Sequence, residues 1–216
     1  MSKIDTILFD FDGTVMDTND VIINSWQHTY RTLENREEDV ANIVKTFGEP
    51  LEITMQKLFP NVPIEESVPI YRSYHRDNFG ELISICPGMK ELLQELKQQE
   101  YKVGLVTSRL KTTTMQGLEK YELTPYFDVV VTAEDTDKHK PDPAPVLIAL
   151  EKLKSAPEKS LMLGDTMFDI LCARNAGVAS VLVEWGIALT EEEKNGPDGP
   201  DYRIGKAEEL FDILRR

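Results

Sequence analysis

Apolar positions along this chain follow two kinds of pattern. Short, nearly continuous runs recur at TILFDF (6–11), KVGLVTS (102–108), FDVVVTA (127–133), SLMLGD (160–165) and SVLVEW (180–185). Runs of that length without alternation predict strands buried on both faces, as in a parallel sheet. Between them the apolar residues take helical spacing. GMKELLQELKQQE (88–100) gathers Leu92, Leu93 and Leu96 on one side. PVLIALEKL (145–153) follows prolines suited to a helix start, and TMFDILCARNAG (166–177) runs into Gly177, a helix stop. Alternating helix and strand from residue 86 onward predicts an α/β fold with a doubly wound parallel sheet.

Residues 17–85 break that rhythm. Ile22, Trp26, Tyr30 and Leu33 recur at helical spacing, and EDVANIVKTF (38–47), EITMQKLF (52–59) and PIYRSYHRDNFG (69–80) predict three more helices. The expected organisation is an α/β core domain from 1–16 and 86–216, interrupted by an all-helical domain, 17–85. The two connections, near 15–19 and 80–87, form a natural hinge. TEEEKNGPDGPD (190–201) is polar and turn-rich and is expected to be a loop, with a closing helix over 206–216.

Charge narrows the partners. The 216 residues carry 24 basic and 38 acidic side chains, a formal net charge of −14. Such a surface repels nucleic acid and anionic membrane, so neither is an expected partner. No run approaches the roughly 20 apolar residues of a membrane span. The two cysteines, Cys86 and Cys172, lack metal-ligand spacing and are expected as free thiols in the cytoplasm. Oligomeric state, monomer or dimer, is not legible.

Ligands of parallel sheets bind beyond the carboxyl ends of the strands, so the residues there are considered together. The first run leads into Asp10 and Asp12, the second into Thr107 and Ser108, and the fourth into Asp165, with Asp169 one helical turn on. Lys140 follows the third run within KHKPDP. Carboxylates so close repel each other unless a cation intervenes. Oxygen donors without His or Cys point to Mg²⁺. Thr107 and Lys140 suit phosphate oxygens. The set then fits phosphoryl transfer to water: Asp10 as nucleophile, Asp12 as proton donor and acceptor, and Asp165 on the metal. Asp169 either joins the metal through water or orients Lys140. Arg109 either lines the mouth of the site or faces solvent, with solvent favoured, and Ser108 is expected to cap the following helix.

DFDGTVMDT, the TS pair at 107–108, KPDP (140–143) and GDTMFD (164–169) resemble the four motifs of the haloacid dehalogenase-like hydrolase superfamily. The inserted helices resemble those of the subgroup containing phosphoglycolate phosphatase, pyrophosphatase and β-phosphoglucomutase. The resemblance implies an aspartyl-phosphate mechanism, one Mg²⁺ ion held by Asp10, Asp165 and the backbone carbonyl of Asp12, and an insertion that caps the site. It implies catalytic roles for Asp10, Asp12, Thr107 and Lys140. A small phosphorylated metabolite is the expected substrate, with phosphoglycolate-like monoesters leading. Inorganic pyrophosphate, sugar-phosphate transfer and a non-catalytic Mg²⁺- or phosphate-binding protein are the alternatives. Gly164 stands where some mutases carry an acidic residue, which favours hydrolysis. FGEP (47–50), including Glu49, and the basic face of Arg72 and Arg76 with nearby His75 are candidates for choosing the substrate. His28 is expected to pack rather than react.

Overall fold

The computed structural model describes residues 3–215; residues 1 and 2 of the expected core segment and Arg216 of the expected closing helix lie outside it. The first apolar run forms β1 (Thr6–Phe9). It is followed by β2 (Met16–Asp17), α1 (Asn19–Glu34), α2 (Val40–Val44), α3 (Leu51–Leu58), α4 (Ile64–Leu82) and β3 (Ser84–Ile85). The chain then alternates through α5 (Met89–Gln98), β4 (Lys102–Val106), α6 (Lys111–Lys120), β5 (Val129–Val131), α7 (Ala144–Leu153) and β6 (Ser160–Gly164). It closes with α8 (Met167–Asn175), β7 (Ala179–Val183), α9 (Glu191–Asn195), β8 (Tyr202–Ile204) and α10 (Leu210–Leu214).

Six strands form one sheet in the order β5-β4-β1-β6-β7-β8, and every pairing in it is parallel. β1 lies centrally, with Phe9 in register with Leu105 on one side and Leu163 on the other. Its side chains feed two cores. Ile7 and Phe9 join Leu93, Leu105 and Leu163 on one face, while Leu8 joins Val146, Leu150 and Met162 on the opposite face. That division is why Ile7, Leu8 and Phe9 are apolar in succession rather than at alternate positions. Each such large side chain, fully buried, contributes roughly 1.5–3 kcal/mol.

Between β2 and β3 the helices have a core of their own, built from Trp26, Tyr30, Ile43, Met55, Phe59, Val68 and Tyr71. The two connections to the sheet pair with each other, Met16 with Ile85 and Asp17 with Ser84, as an antiparallel ribbon.

Three local expectations are corrected. α4 begins at Ile64 and runs through Pro69 rather than starting there, because Pro63 already opens the helix. The 190–201 segment is not wholly loop. Thr190 accepts a hydrogen bond from the Glu193 amide while Glu193 accepts one from the Thr190 amide, and that reciprocal cap starts α9. β8 was not foreseen, and the closing segment is a 3₁₀ turn at Ala207–Glu209 followed by the short α10. Among the described residues no helix is long and apolar enough to cross a membrane.

Candidate active site

Asp10 is the first residue beyond the central strand, and its amide donates to the Leu163 carbonyl at 2.9 Å. The residue therefore stands at the carboxyl end of β1, between β4 and β6 in the sheet. Lys140 reaches it from the segment before α7: Nζ donates to Asp10 Oδ1 at 2.7 Å and to Asp169 Oδ1 at 2.6 Å. All three side chains are at least nine-tenths buried. Burial opposes the charge on Lys140, yet the pull of Asp10 and Asp169 prevails and holds the ammonium well above its ordinary pKa. One ammonium does not satisfy the acids. Burial, with help from Asp169 and Asp12 and against Lys140, pushes Asp10 up to about 7. Asp165 is also raised well above the usual carboxylate range, by burial first and then by Asp169, Asp10 and Asp12.

Asp169 is held from both sides. Its Oδ2 accepts from the Thr166 amide at 3.1 Å and the Thr166 hydroxyl at 2.7 Å, the capping box that starts α8. Its Oδ1 meanwhile accepts from Lys140 Nζ. Asp169 packs so tightly on β6 that a Cβ at Gly164 would lie 2.2 Å from Asp169 Cβ. An acidic side chain at 164 has no room.

The acids fit a hard divalent cation. Oxygens of Asp10, Asp165 and Asp169 lie within 4.8 Å of one another. Asp165 Oδ1 is buried without a hydrogen-bond partner. Gly13, at φ +69°, lets the backbone press against this carboxylate; a Cβ there would lie 2.2 Å from Asp165 Oδ2. An orphaned carboxylate oxygen in an acidic, crowded cradle is the donor a Mg²⁺ site needs.

Asp12, two residues past Asp10, has a different environment. Its Oδ1 accepts from the Thr18 hydroxyl at 2.6 Å and from Arg109 Nη1 at 2.5 Å. Thr107 is buried at the end of β4, and its Oγ1 accepts from the Arg109 amide at 3.2 Å. Ser108 lines the same cavity but does not cap α6, which has no side-chain cap.

Arg109 does not face solvent. Its side chain is 9% exposed, and its guanidinium lies 4.6 Å from the Phe79 ring and 5.4 Å from the Phe11 ring. Two aromatic faces and a carboxylate offer this cation more than water does. Thr18 is a site residue that sequence reasoning missed, and Arg109 takes the less favoured of its two expected places; the only sequence signal for Arg109 was its place two residues after Thr107.

A cavity of about 570 Å³ opens over these groups, roofed by α1, α4 and the 46–52 segment. Its wall includes Ile22, Trp26, Leu51 and Tyr71, and Glu49, Arg72, His75 and Arg76 also line it. Three of the candidate selectivity residues, Glu49, Arg72 and Arg76, are engaged within the insertion. Glu49 accepts from the Thr54 hydroxyl at 2.8 Å and pairs with Lys57. Arg72 pairs with Glu52, and Arg76 with Asp77. His28 stacks on Tyr74 at 4.9 Å, as packing requires.

Residues 7–183 match the haloacid dehalogenase-like hydrolase family. The chain belongs to that family. Among its relatives, the haloacid dehalogenase-like chain is 39% identical over 220 residues to pyrophosphatase PpaX of Bacillus mycoides, covering 99% of this chain and 98% of that one. Its fold is similar to that of a haloacid dehalogenase-like family hydrolase from Streptococcus pneumoniae, with TM-score 0.87, 28% identity, and coverage of 99% and 100% of the two chains. It is also similar to a Lactobacillus plantarum protein assigned as a phosphoglycolate phosphatase, with TM-score 0.84, 26% identity, and coverage of 98% and 99%.

Proposed function

We propose that this haloacid dehalogenase-like hydrolase is a Mg²⁺-dependent phosphohydrolase with Asp10 as nucleophile, acting on inorganic pyrophosphate. The observation that carries the reading is the buried meeting of Asp10, Asp165 and Asp169, where Lys140, bonded to Asp10 and Asp169, is the only cation directly bonded to any of the three among the described residues. The pyrophosphatase name of a full-length relative at 39% identity supports the substrate.

In the proposed reaction Asp10 attacks phosphorus as the bond to the leaving oxygen breaks. The leaving oxygen keeps the bonding pair and takes a proton from Asp12, leaving an aspartyl phosphate on Asp10. Asp12 then accepts a proton from water, the resulting hydroxide oxygen bonds to phosphorus, and the Asp10 carboxylate is released with free phosphate. The Thr107 hydroxyl and the Lys140 ammonium hold the oxygens of the transferring group. Asp10, Asp165 and the Asp12 carbonyl would hold Mg²⁺, which when bound supplies positive charge to the phosphoryl oxygens.

The helical segment 17–85 acts as a cap on the core formed by 1–16 and 86–216, and it chooses the leaving group. The apolar wall of Ile22, Trp26, Leu51 and Tyr71 favours a second substrate reading, a small organic monoester such as phosphoglycolate. Cys86 and Cys172 are buried free thiols, in keeping with a reducing, cytoplasmic setting.

The test is phosphate release from pyrophosphate, phosphoglycolate and other phosphate monoesters, with and without Mg²⁺. Wild-type protein should turn over only with the metal, and Asp10→Asn should abolish turnover with an unchanged circular dichroism spectrum. Turnover retained by Asp10→Asn removes the nucleophile assignment.

A further inference from the structure

Arg109 joins two parts of the molecule. Its Nη1 donates to Asp12 Oδ1 at 2.5 Å, beside the sheet, and its Nη2 lies 2.9 Å from Nε2 of His75 on α4. We infer that Arg109 is a positioning residue for Asp12, and that His75 holds Arg109 in place, so that the seating of the helical insertion sets the orientation of the proton donor. The inference rests on Asp12 being the acid of the proposed reaction.

The geometry supports it atom by atom. An arginine has only donors, so His75 Nε2 accepts, and the ring proton sits on Nδ1. That tautomer requires a neutral ring, and His75 is kept neutral: burial first and then the Arg109 charge bring its pKa down to about 3. The ring itself is fixed in a column along α4, with Tyr71 5.9 Å away on one side and Phe79 5.2 Å on the other. These residues are four apart, so one helix face carries the whole column. Phe79 also lies against the Arg109 guanidinium. On the core side the Arg109 backbone is tied at both ends. Its amide donates to Thr107 Oγ1, and its carbonyl accepts from the Ala133 amide at 2.9 Å. The guanidinium is thus held by the core at its root and by α4 at its tip.

The consequence lies in which oxygen of Asp12 is engaged. Arg109 and Thr18 both donate to Oδ1. Oδ2 is then the oxygen that carries a proton to the leaving group. As the bond from phosphorus to the leaving oxygen breaks, that oxygen takes the bonding pair, the proton moves to it from Oδ2, and Asp12 is left as a carboxylate paired with Arg109. If α4 lifts away, Arg109 loses the His75 acceptor and the Phe79 face together.

The experiment compares two substrate types that differ in their need for an acid. An alkyl phosphate leaves as a basic alkoxide and needs protonation; p-nitrophenyl phosphate leaves as a stabilised phenolate and does not. Arg109→Gln should lower kcat/KM for glycerol 3-phosphate by about 100-fold, the scale of general-acid catalysis, and that for p-nitrophenyl phosphate by less than about 3-fold. His75→Phe keeps the ring column but removes the acceptor, and should reproduce the selective loss more mildly. His75→Gln, which restores an acceptor, should recover most of it. Arg109→Lys serves if the glutamine variant fails to fold, and should show an intermediate selective loss. Equal losses on both substrates would assign Arg109 a structural role only, and a gain would make it a restraint; either overturns the inference while the phosphohydrolase reading stands. Wild-type protein that hydrolyses neither substrate, nor pyrophosphate, with Mg²⁺ defeats the reading and the inference with it.

Discussion

Lys140 and Asp10 meet at 2.7 Å in a pocket where both are nearly sealed from water, although 130 residues of chain separate them. The lysine also holds Asp169, so one ammonium keeps two buried carboxylates from facing each other bare. Lys140→Ala should cost about 3–5 kcal/mol of stability, the range for breaking a buried ion pair from one side. Urea unfolding in metal-free buffer measures it. A change under 1 kcal/mol, on that same scale, would mean the acids find another counter-charge.

Divalent metal should supply such a charge. Asp165 Oδ1 has no hydrogen-bond partner, and the carboxyl group is pushed toward its neutral form. Saturating Mg²⁺ at 100 times its Kd should stabilise the wild-type fold by about 2.7 kcal/mol, read as a rise in Tm. Asp165→Asn should abolish most of that rise, and chelator should abolish turnover. A Tm shift that survives in Asp165→Asn would move the metal elsewhere.

The buried histidine gives the acid limb of stability a definite sign. In the folded chain His75 titrates near 3, against an ordinary value of 6.5. Above pH 6.5 the ring is neutral in both states and its contribution to stability is complete. As pH falls below that, the unfolded chain takes up a proton that the folded chain refuses, and stability is lost at up to about 1.4 kcal/mol per pH unit until the folded value is reached. Denaturant curves at pH 7.5, 6 and 5 should therefore fall more steeply for wild type than for His75→Phe. Parallel curves would show that His75 titrates normally.

Gly164 is tested by the smallest possible addition. A methyl group there would lie 2.4 Å from Asp169 Cγ. Gly164→Ala should displace Asp169 from Lys140, cost roughly 1–3 kcal/mol as overpacking does, and lower kcat at least tenfold. Wild-type kcat in this variant would mean that Asp169 can move without consequence to Lys140.

Much of the site was legible because it obeys a topological rule. Asp10, Thr107 and Asp165 stand at or just past the ends of apolar runs, and a parallel sheet carries such ends to one edge. Asp169 could be placed but not assigned, since its choice between metal and Lys140 depends on a side-chain rotamer fixed by Thr166. Arg109 was misjudged because its setting is assembled from far along the chain: Phe11 and Asp12 on one side, His75 and Phe79 on the other. β8 escaped notice because it is a three-residue edge strand with a charged centre, Arg203, and carries no apolar run. The helical insertion was legible as helices, but the pairing of Arg72 with Glu52 depends on how α4 packs against α3.

The ribbon of Met16–Asp17 with Ser84–Ile85 has a consequence for how such a molecule can diversify. Paired antiparallel strands hold their partner residues only about 5 Å apart. Any polypeptide whose two ends emerge side by side could be spliced in at that point without stretching the sheet or disturbing the buried carboxylates. Lineages could exchange what sits above the chemistry and leave the chemistry itself untouched, so divergence in preferred leaving group should concentrate between these two short strands.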